Sequence, residues 1–366
     1  MEICIIGLTQ SGKTTIFNAL TRGKAEAVLL SSSHFAPNIG ISKVPDPRLQ
    51  LLETIFKPKK VTQAEIKYTD IAGIQKSKIK GEGIYGPFLN YLSTADAIIQ
   101  VVRAFRDDKV PHPDGNPDPK RDIANMSLEL ILSDLVILER RLERLEVELK
   151  AVKSAERDSL LKEQLLLRRI KDNLEKETPV WKQGLTHEEM KILSNYQFLT
   201  AKPMLIIINI GEEQLDKVDT IEQEFRSIYS IKQFEVITLC GKLEMELSQL
   251  NDIEAREFRD SLGLKVSAID RVIATSYSLL GLISFFTTVS GELKAWTIHK
   301  DITALKAAGK IHTDIERGFI KAEVISMGDL VKQGSIAEAK KHGLLRLEGK
   351  NYIVQDGDII TFLFNI

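Results

Sequence analysis

Gly7-Leu8-Thr9-Gln10-Ser11-Gly12-Lys13-Thr14 places two glycines five positions apart, with a lysine and a threonine directly behind the second. This is the P-loop pattern. Ahead of it, Glu2-Ile3-Cys4-Ile5-Ile6 is a short β-branched run that reads as a buried strand. Behind it, Thr15-Ile16-Phe17-Asn18-Ala19-Leu20 carries apolar residues at helical spacing. In a strand–loop–helix context, backbone N–H groups of the loop and the helix N-terminus converge on a polyphosphate. Gly7, Gln10, Ser11, Gly12, Lys13, Thr14 and Thr15 are therefore the candidate phosphate-binding residues. Lys13 can reach the terminal phosphates, and the Thr14 hydroxyl can ligate Mg²⁺. The bland alternative, a chance glycine turn before a helix, is disfavoured by the flanking strand and helix.

The chain has 366 residues, enough for two or three domains with their own cores. Its 50 Lys+Arg nearly balance 51 Asp+Glu, so any nucleic-acid-binding surface must be local. Two cysteines, Cys4 and Cys240, argue against a disulfide framework and suit a reducing cytoplasm. No signal peptide is expected, since the first strand begins almost at Met1. The longest apolar runs, such as Met204–Ile208, are too short to span a bilayer.

Residues 25–36, with Ser31-Ser32-Ser33-His34, occupy the place of a switch I segment. Pro37–Gly40 and Val44–Leu49 then show turn chemistry followed by a short helix. Ala64–Tyr68 alternates as a strand and delivers Asp70-Ile71-Ala72-Gly73, where Asp70 can hold Mg²⁺ through a water and the Gly73 N–H can touch a γ-phosphate. Lys76–Gly86 stands in the place of switch II, and Ala95–Val102 reads as another buried strand. Arg106–Arg121, which contains His112, reads as a loop.

From there the period changes. Leu135, Leu138, Leu142, Leu145 and Leu149 fall at alternating threes and fours, and Leu160, Leu167, Ile170, Leu174 and Trp181 repeat the pattern. Two helices joined by the polar 151–159 stretch predict an antiparallel coiled-coil arm over residues 126–199, with Lys and Arg crowding its far end. Pro203–Ile208 is again a buried strand, ending in Asn209-Ile210-Gly211-Glu212, and Glu235–Leu239 runs into Cys240-Gly241-Lys242. Asn209, Ile210, Glu212, Cys240 and Gly241 are the candidate contacts to the nucleotide base. Residues 1–125 and 200–281 thus form one α/β nucleotide-binding domain, closed by a helix over Ile253–Leu280. Residues 282–366 form a small α+β module, in which Leu344–Leu347 is expected to pair with Tyr352–Val354 and a helix over Asp301–Ala308 to end at Gly309. His312 and His342 read as solvent-facing loop residues.

The order P-loop, Pro37-Asn38-x-Gly40, Val44-Pro45-Asp46-Pro47-Arg48-Leu49, Asp70-Ile71-Ala72-Gly73, arm, Asn209-x-x-Glu212 resembles the YchF subfamily of Obg-related P-loop NTPases (TRAFAC class), the Obg-like ATPases. The C-terminal part is similar to that family's TGS domain through Ala295-Trp296-Thr297, Lys306–Gly309, Ile311–Asp314, Gly318–Ile320 and Arg346–Lys350. The resemblance spans essentially the whole chain. It implies a G domain with an inserted coiled-coil arm, a β-grasp (ubiquitin-like) TGS domain, hydrolysis of ATP or of ATP and GTP, and association with ribosomes. Implied cofactors are Mg²⁺ and ATP, with GTP as the alternative nucleotide and K⁺ as a further candidate. The implied setting is a cytoplasmic monomer, away from membranes, acting as a switch in translation or stress regulation.

Two departures from the family pattern stand out. His34 and Ala36 replace its switch I Thr and Glu, and Thr9-Gln10-Ser11 replaces Pro-Asn-Val. Ile74 follows Gly73 where many GTPases carry a water-orienting Gln, and Gln75 comes one residue too late. By resemblance to a mobile-loop histidine of the family, His112 is the candidate for placing the attacking water, with His34 as its rival. Lys13, Gly73 and His112 complete the catalytic set. The base contacts favour ATP, because Glu212 stands where guanine-specific sites have Asp and Ile210 where they have Lys. The alternatives are an ordinary Obg-type GTPase and a nucleotide-dependent scaffold with negligible turnover.

Overall fold

A computed structural model describes residues 1–23, 37–71, 86–152, 156–229, 234–264 and 266–365. The chain divides into two compact units, Met1–Gly40 with Lys67–Ile269, and Ile41–Ile66 with Asp270–Ile366.

Chain order in the first half runs β1 (Glu2–Ile6), α1 (Lys13–Thr21), β2 (Asn38–Lys43), α2 (Pro47–Phe56), β3 (Lys60–Thr62), β4 (Glu65–Asp70), α3 (Gly86–Thr94) and β5 (Ala97–Arg103). It continues with α4 (Pro119–Ala151), α5 (Arg157–Leu174), α6 (His187–Leu193), β6 (Met204–Asn209), α7 (Val218–Tyr229), β7 (Phe234–Leu239) and α8 (Gly241–Leu247). One sheet has the order β2-β4-β1-β5-β6-β7, with β4, β1, β5, β6 and β7 running parallel. Every residue of β5 and β6 is buried, as expected for strands covered on both faces. From β1 the chain crosses to β4 on one side and later to β5 on the other. The loops leaving the carboxyl ends of β1, β4, β6 and β7 therefore gather at one edge, where open parallel sheets bind ligands.

α4 and α5 form a helical hairpin. The pairs Lys171–Glu139 and Arg168–Glu146 give its antiparallel sense, because the higher number on α4 faces the lower number on α5, and Arg141 reaches Glu163 from the same seam. Ile131, Leu138 and Leu145 recur every seven residues and bury against Leu167, Ile170 and Leu174. Two expectations change here. α4 begins at Pro119, because Asp118 caps it through the Arg121 N–H, so the end of the expected loop is helical. Trp181 leaves the arm seam and packs at a tilt against Phe234, with ring centroids 4.5 Å apart. Glu177, at φ 57, and Pro179 end the helical run before it. Thr186 and Glu189 form the expected capping box.

Asp134, fully buried on α4, accepts the Leu199 N–H at 2.7 Å, the Thr200 N–H at 2.9 Å and the Thr200 hydroxyl at 2.6 Å. Asp134→Ala strands these buried donors and is expected to destabilise the fold by about 3 kcal/mol. Burial pushes the Asp134 carboxyl up to about 6. Its stabilising contribution is thus full below the ordinary carboxylate value and is lost as pH rises through about 6. The penalty in urea unfolding should be larger at pH 5 than at pH 7, and equal penalties at the two pH values would contradict this.

The second unit is built on a sheet of order β11-β10-β12-β8-β9-β3. Its strands are β8 (Leu282–Val289), β9 (Glu292–His299), β10 (Phe319–Ile325), β11 (Arg346–Glu348) and β12 (Ile359–Phe364). β8 and β9 make the expected hairpin, with Ser290 and Gly291 at φ 55 and 79. The helix Ala304–Ile311 lays Ala304, Ala307 and Ala308 on Phe285, Ala322 and Ile360. It runs through Gly309 rather than ending there. β11 pairs with β10, not with Tyr352–Val354. That segment is held by the Tyr352 hydroxyl on Asp358 at 2.7 Å and by a bridge from Ile353 to Thr303. Instead of one helix over 253–280 there are two, Asp252–Ser261 and Ala268–Leu279, separated where Gly263 takes φ 72. His312 caps a short helix through the Asp314 N–H and is exposed, as is His342.

Candidate nucleotide-binding site

The loop between β1 and α1 is shaped by glycines that no other residue replaces. Gly7 has φ +154, and a Cβ there would meet the Val101 carbonyl oxygen at 2.4 Å. Gly12 has φ +91, and a Cβ would meet the Asn209 amide nitrogen at 2.2 Å. Gln10 turns the loop tip at φ 63. α1 starts at Lys13, so its first N–H groups face the loop.

The Lys13 side chain folds back over this loop, donating to the carbonyls of Gly7 at 3.1 Å and Leu8 at 2.8 Å. Burial pushes its ammonium down to about 8, and Asp70 opposes the shift. An anionic ligand in the loop would favour the charged form again.

At the end of β4, Asp70 is buried and accepts from the Thr14 hydroxyl at 2.9 Å and, at 3.4 Å, from the Asn38 amide, all on Oδ2. Its Oδ1 is buried with no hydrogen-bond partner, and burial raises its pKa. A hydroxyl and a carboxylate oxygen, one of them orphaned, are hard donors of the kind Mg²⁺ takes when phosphates and waters complete its shell. Asn38, legible as part of a turn and of the family motif, opens β2 and was not legible as a partner of Asp70. Gly73, His34, Ser33, Ile74 and Gln75 lie outside the described residues.

Asn209 ties the two halves of the site together. Its Nδ2 donates to the Ser11 carbonyl at 2.9 Å, and its Oδ1 accepts the Gly241 N–H at 2.9 Å. Half of its amide hydrogen-bonding capacity remains for a base. Gly241 is thus engaged through its own N–H, and Cys240, buried, occupies the cap position of α8. Ile210 differs from expectation. Its side chain packs in the core beneath the sheet edge and its N–H bonds the Leu239 carbonyl at 2.9 Å, so it has no donor to offer a base. Glu212 is half exposed and pairs with Lys242 at 2.8 Å.

His112 is the largest departure. It is not a free loop side chain but is buried, with Nε2 at 2.9 Å from Asp122 Oδ2 and Nδ1 accepting the Asp114 N–H at 3.1 Å. Together with Leu8, Thr9, Ser11, Arg103 and Asp122 it lines a small cavity beside the phosphate loop. A polar, proline-rich sequence conceals this burial, because the partner Asp122 belongs to the next helix. Among the described residues no group of three His, Cys, Asp or Glu side chains is placed to hold a metal, and no helix is long and apolar enough to cross a membrane.

Comparison with known proteins adds independent findings. Residues 2–139 match a family model described as a 50S ribosome-binding GTPase. Residues 282–365 match the C-terminal YchF-GTPase model, described as a protein of unknown function (DUF933). The ribosome-binding ATPase YchF of Bacillus subtilis is 41% identical over 364 residues, covering 99% of this chain and 98% of that protein. Its counterpart in Haemophilus influenzae is 38% identical over 362 residues, with 99% and 98% covered. The structure of the Schizosaccharomyces pombe YchF GTPase superposes with a TM-score of 0.86 at 30% identity, covering 99% of this chain and 97% of that one.

Proposed function

The chain belongs to the YchF family, and on that premise we propose that it is a ribosome-associated P-loop NTPase that hydrolyses ATP as a nucleotide-dependent switch in translation. The observation that carries this reading is the phosphate cradle. Gly7 and Gly12 open it, Lys13 lies over its carbonyls, and the Thr14 hydroxyl meets Asp70. Thr14 and Asp70 would hold Mg²⁺, which neutralises charge between the β- and γ-phosphates when bound. Lys13 and the loop amides from Gly7 to Thr15 receive the phosphates. Asn209, through its remaining amide positions, and the backbone around Cys240 and Glu212 face the base. His112 places the attacking water, for which its imidazole must exchange the Asp114 N–H for a water.

By chain order we propose residues 1–125 and 200–281 as the G domain, 126–199 as a coiled-coil arm and 282–366 as a β-grasp TGS domain, in a cytoplasmic monomer, although 41–66 and 270–281 fall within the second compact unit. The exposed Lys150, Arg157 and Lys162 near the end of the arm are suited to the phosphates of a ribonucleoprotein. Reversing all three to Glu in the full chain should weaken cosedimentation with ribosomes about tenfold or more at moderate salt and flatten its salt dependence. Unchanged cosedimentation in that variant would remove the arm from the interface.

A further inference from the structure

We propose that Asp122, oriented by Arg121, is a positioning residue that sets the tautomer of His112 and so leaves its Nδ1 with a lone pair that can accept a hydrogen bond from the attacking water in place of the Asp114 N–H. The inference rests on the reading of His112 given above and extends it to the two residues behind the imidazole.

The argument begins with donors and acceptors. His112 Nδ1 accepts the backbone N–H of Asp114 at 3.1 Å, so it carries a lone pair and not a proton. In the neutral ring the proton then lies on Nε2, which points at Asp122 Oδ2 at 2.9 Å. An acceptor-only carboxylate enforces this arrangement. Both side chains are almost fully buried, 2% and 4% exposed, so water does not compete for the contact. The other carboxylate oxygen, Oδ1, receives two N–H groups of Arg121, from Nε and Nη2, each at 3.1 Å. Arg121 is itself held, with its Nη2 on the Asn116 carbonyl at 3.0 Å and its backbone N–H on the Asp118 cap.

The carboxylate is therefore clamped between a guanidinium and an imidazole, and each of its oxygens has an assigned task. This is the carboxylate–histidine geometry by which an acid fixes ring orientation and tautomer. The dyad lines the cavity shared with Leu8, Thr9 and Ser11, which places it directly behind the loop that would cradle the phosphates.

The clamp makes a specific prediction for Asp122→Asn. The amide atom facing Arg121 must accept two N–H groups, so it must be the oxygen. The amide nitrogen then faces His112 and donates to Nε2, which forces the ring proton onto Nδ1. That tautomer opposes the Asp114 N–H and cannot accept from a water. Removing Arg121 as well frees the amide to turn its oxygen towards Nε2–H and restore the original tautomer.

Two measurements on the full chain test this. In ¹⁵N spectra of histidine-labelled protein, wild-type His112 should carry its proton on Nε2, Asp122→Asn should move it to Nδ1, and Asp122→Asn with Arg121→Leu should return it. Single-turnover hydrolysis with radiolabelled ATP should show kcat reduced at least tenfold in Asp122→Asn and partly regained in the double variant. ATP affinity should stay within twofold throughout. An Nδ1–H tautomer in the wild-type protein overturns the proposal without any variant having to fold. A reversed tautomer with unaltered kcat in Asp122→Asn, while His112→Ala is slow, also overturns it and leaves the His112 reading standing. Unaltered kcat in His112→Ala would instead remove the reading on which the proposal rests.

Discussion

Lys13→Ala is expected to abolish measurable ATP binding and turnover while leaving the fold intact. In the wild-type protein the ammonium is buried, and among the described residues it donates to the Gly7 and Leu8 carbonyls, at 3.1 and 2.8 Å. Those neutral acceptors compensate only part of the cost of burial, so the group sits ready for a stronger anion. Hydrogen bonds to charged groups contribute about 1.5–3 kcal/mol each, so losing two at the β- and γ-phosphates costs about 3 kcal/mol or more. That corresponds to at least about a hundredfold in affinity. The carbonyls left behind border the loop that admits the ligand and can turn to water, so thermal unfolding should change little. Titration with a fluorescent ATP analogue, with circular dichroism as the control for folding, checks both halves. Wild-type affinity and turnover in Lys13→Ala would remove the phosphate-site assignment.

The second large effect is the preference for ATP. A guanine-specific site presents an aspartate that accepts from guanine N1–H and N2–H together. Here the corresponding carboxylate is Glu212, one methylene longer and paired with Lys242 at 2.8 Å. Ile210, where such sites carry Lys, is buried, and its N–H is engaged by Leu239. A guanine bound here would leave N–H groups without a matched acceptor. Sites that lose a hydrogen-bonded match discriminate by up to about four or five powers of ten. Half-exposed Glu212 can still be solvated, so the expectation is more modest, with ATP binding about tenfold or more tighter than GTP. Asn209 retains one N–H and one acceptor position after serving Ser11 and Gly241, which matches the N1 acceptor and N6 donor of adenine.

How far the site was legible in the sequence depended on whether its determinants were local. The phosphate loop was, because Gly7 and Gly12 must be glycine for reasons of φ and close approach, and such needs leave fixed spacings. β1, β5, β6 and β7 were also legible, since strands buried on both faces become short, nearly continuous apolar runs. Trp181 misled because its seven-residue spacing from Leu174 mimics the arm period, while α5 ends at Leu174 and Glu177 takes φ 57 between them. The burial of His112 was hidden for a different reason. Its loop is mostly polar and proline-rich, and burial there is made possible by one carboxylate, Asp122, whose own burial is visible only once α4 is seen to begin at Pro119. The short strand β11 was assigned the wrong partner, because β10 lies far from it in sequence and only the fold brings Ala322 opposite Glu348.

The most direct test of the account is a side-by-side titration of the full chain with ATP and GTP in the presence of Mg²⁺, followed by steady-state turnover with each. The account predicts ATP binding at least about tenfold tighter than GTP, with measurable phosphate release from ATP. GTP binding tighter by the same factor, or ATP binding with no turnover either alone or with ribosomes, would contradict it.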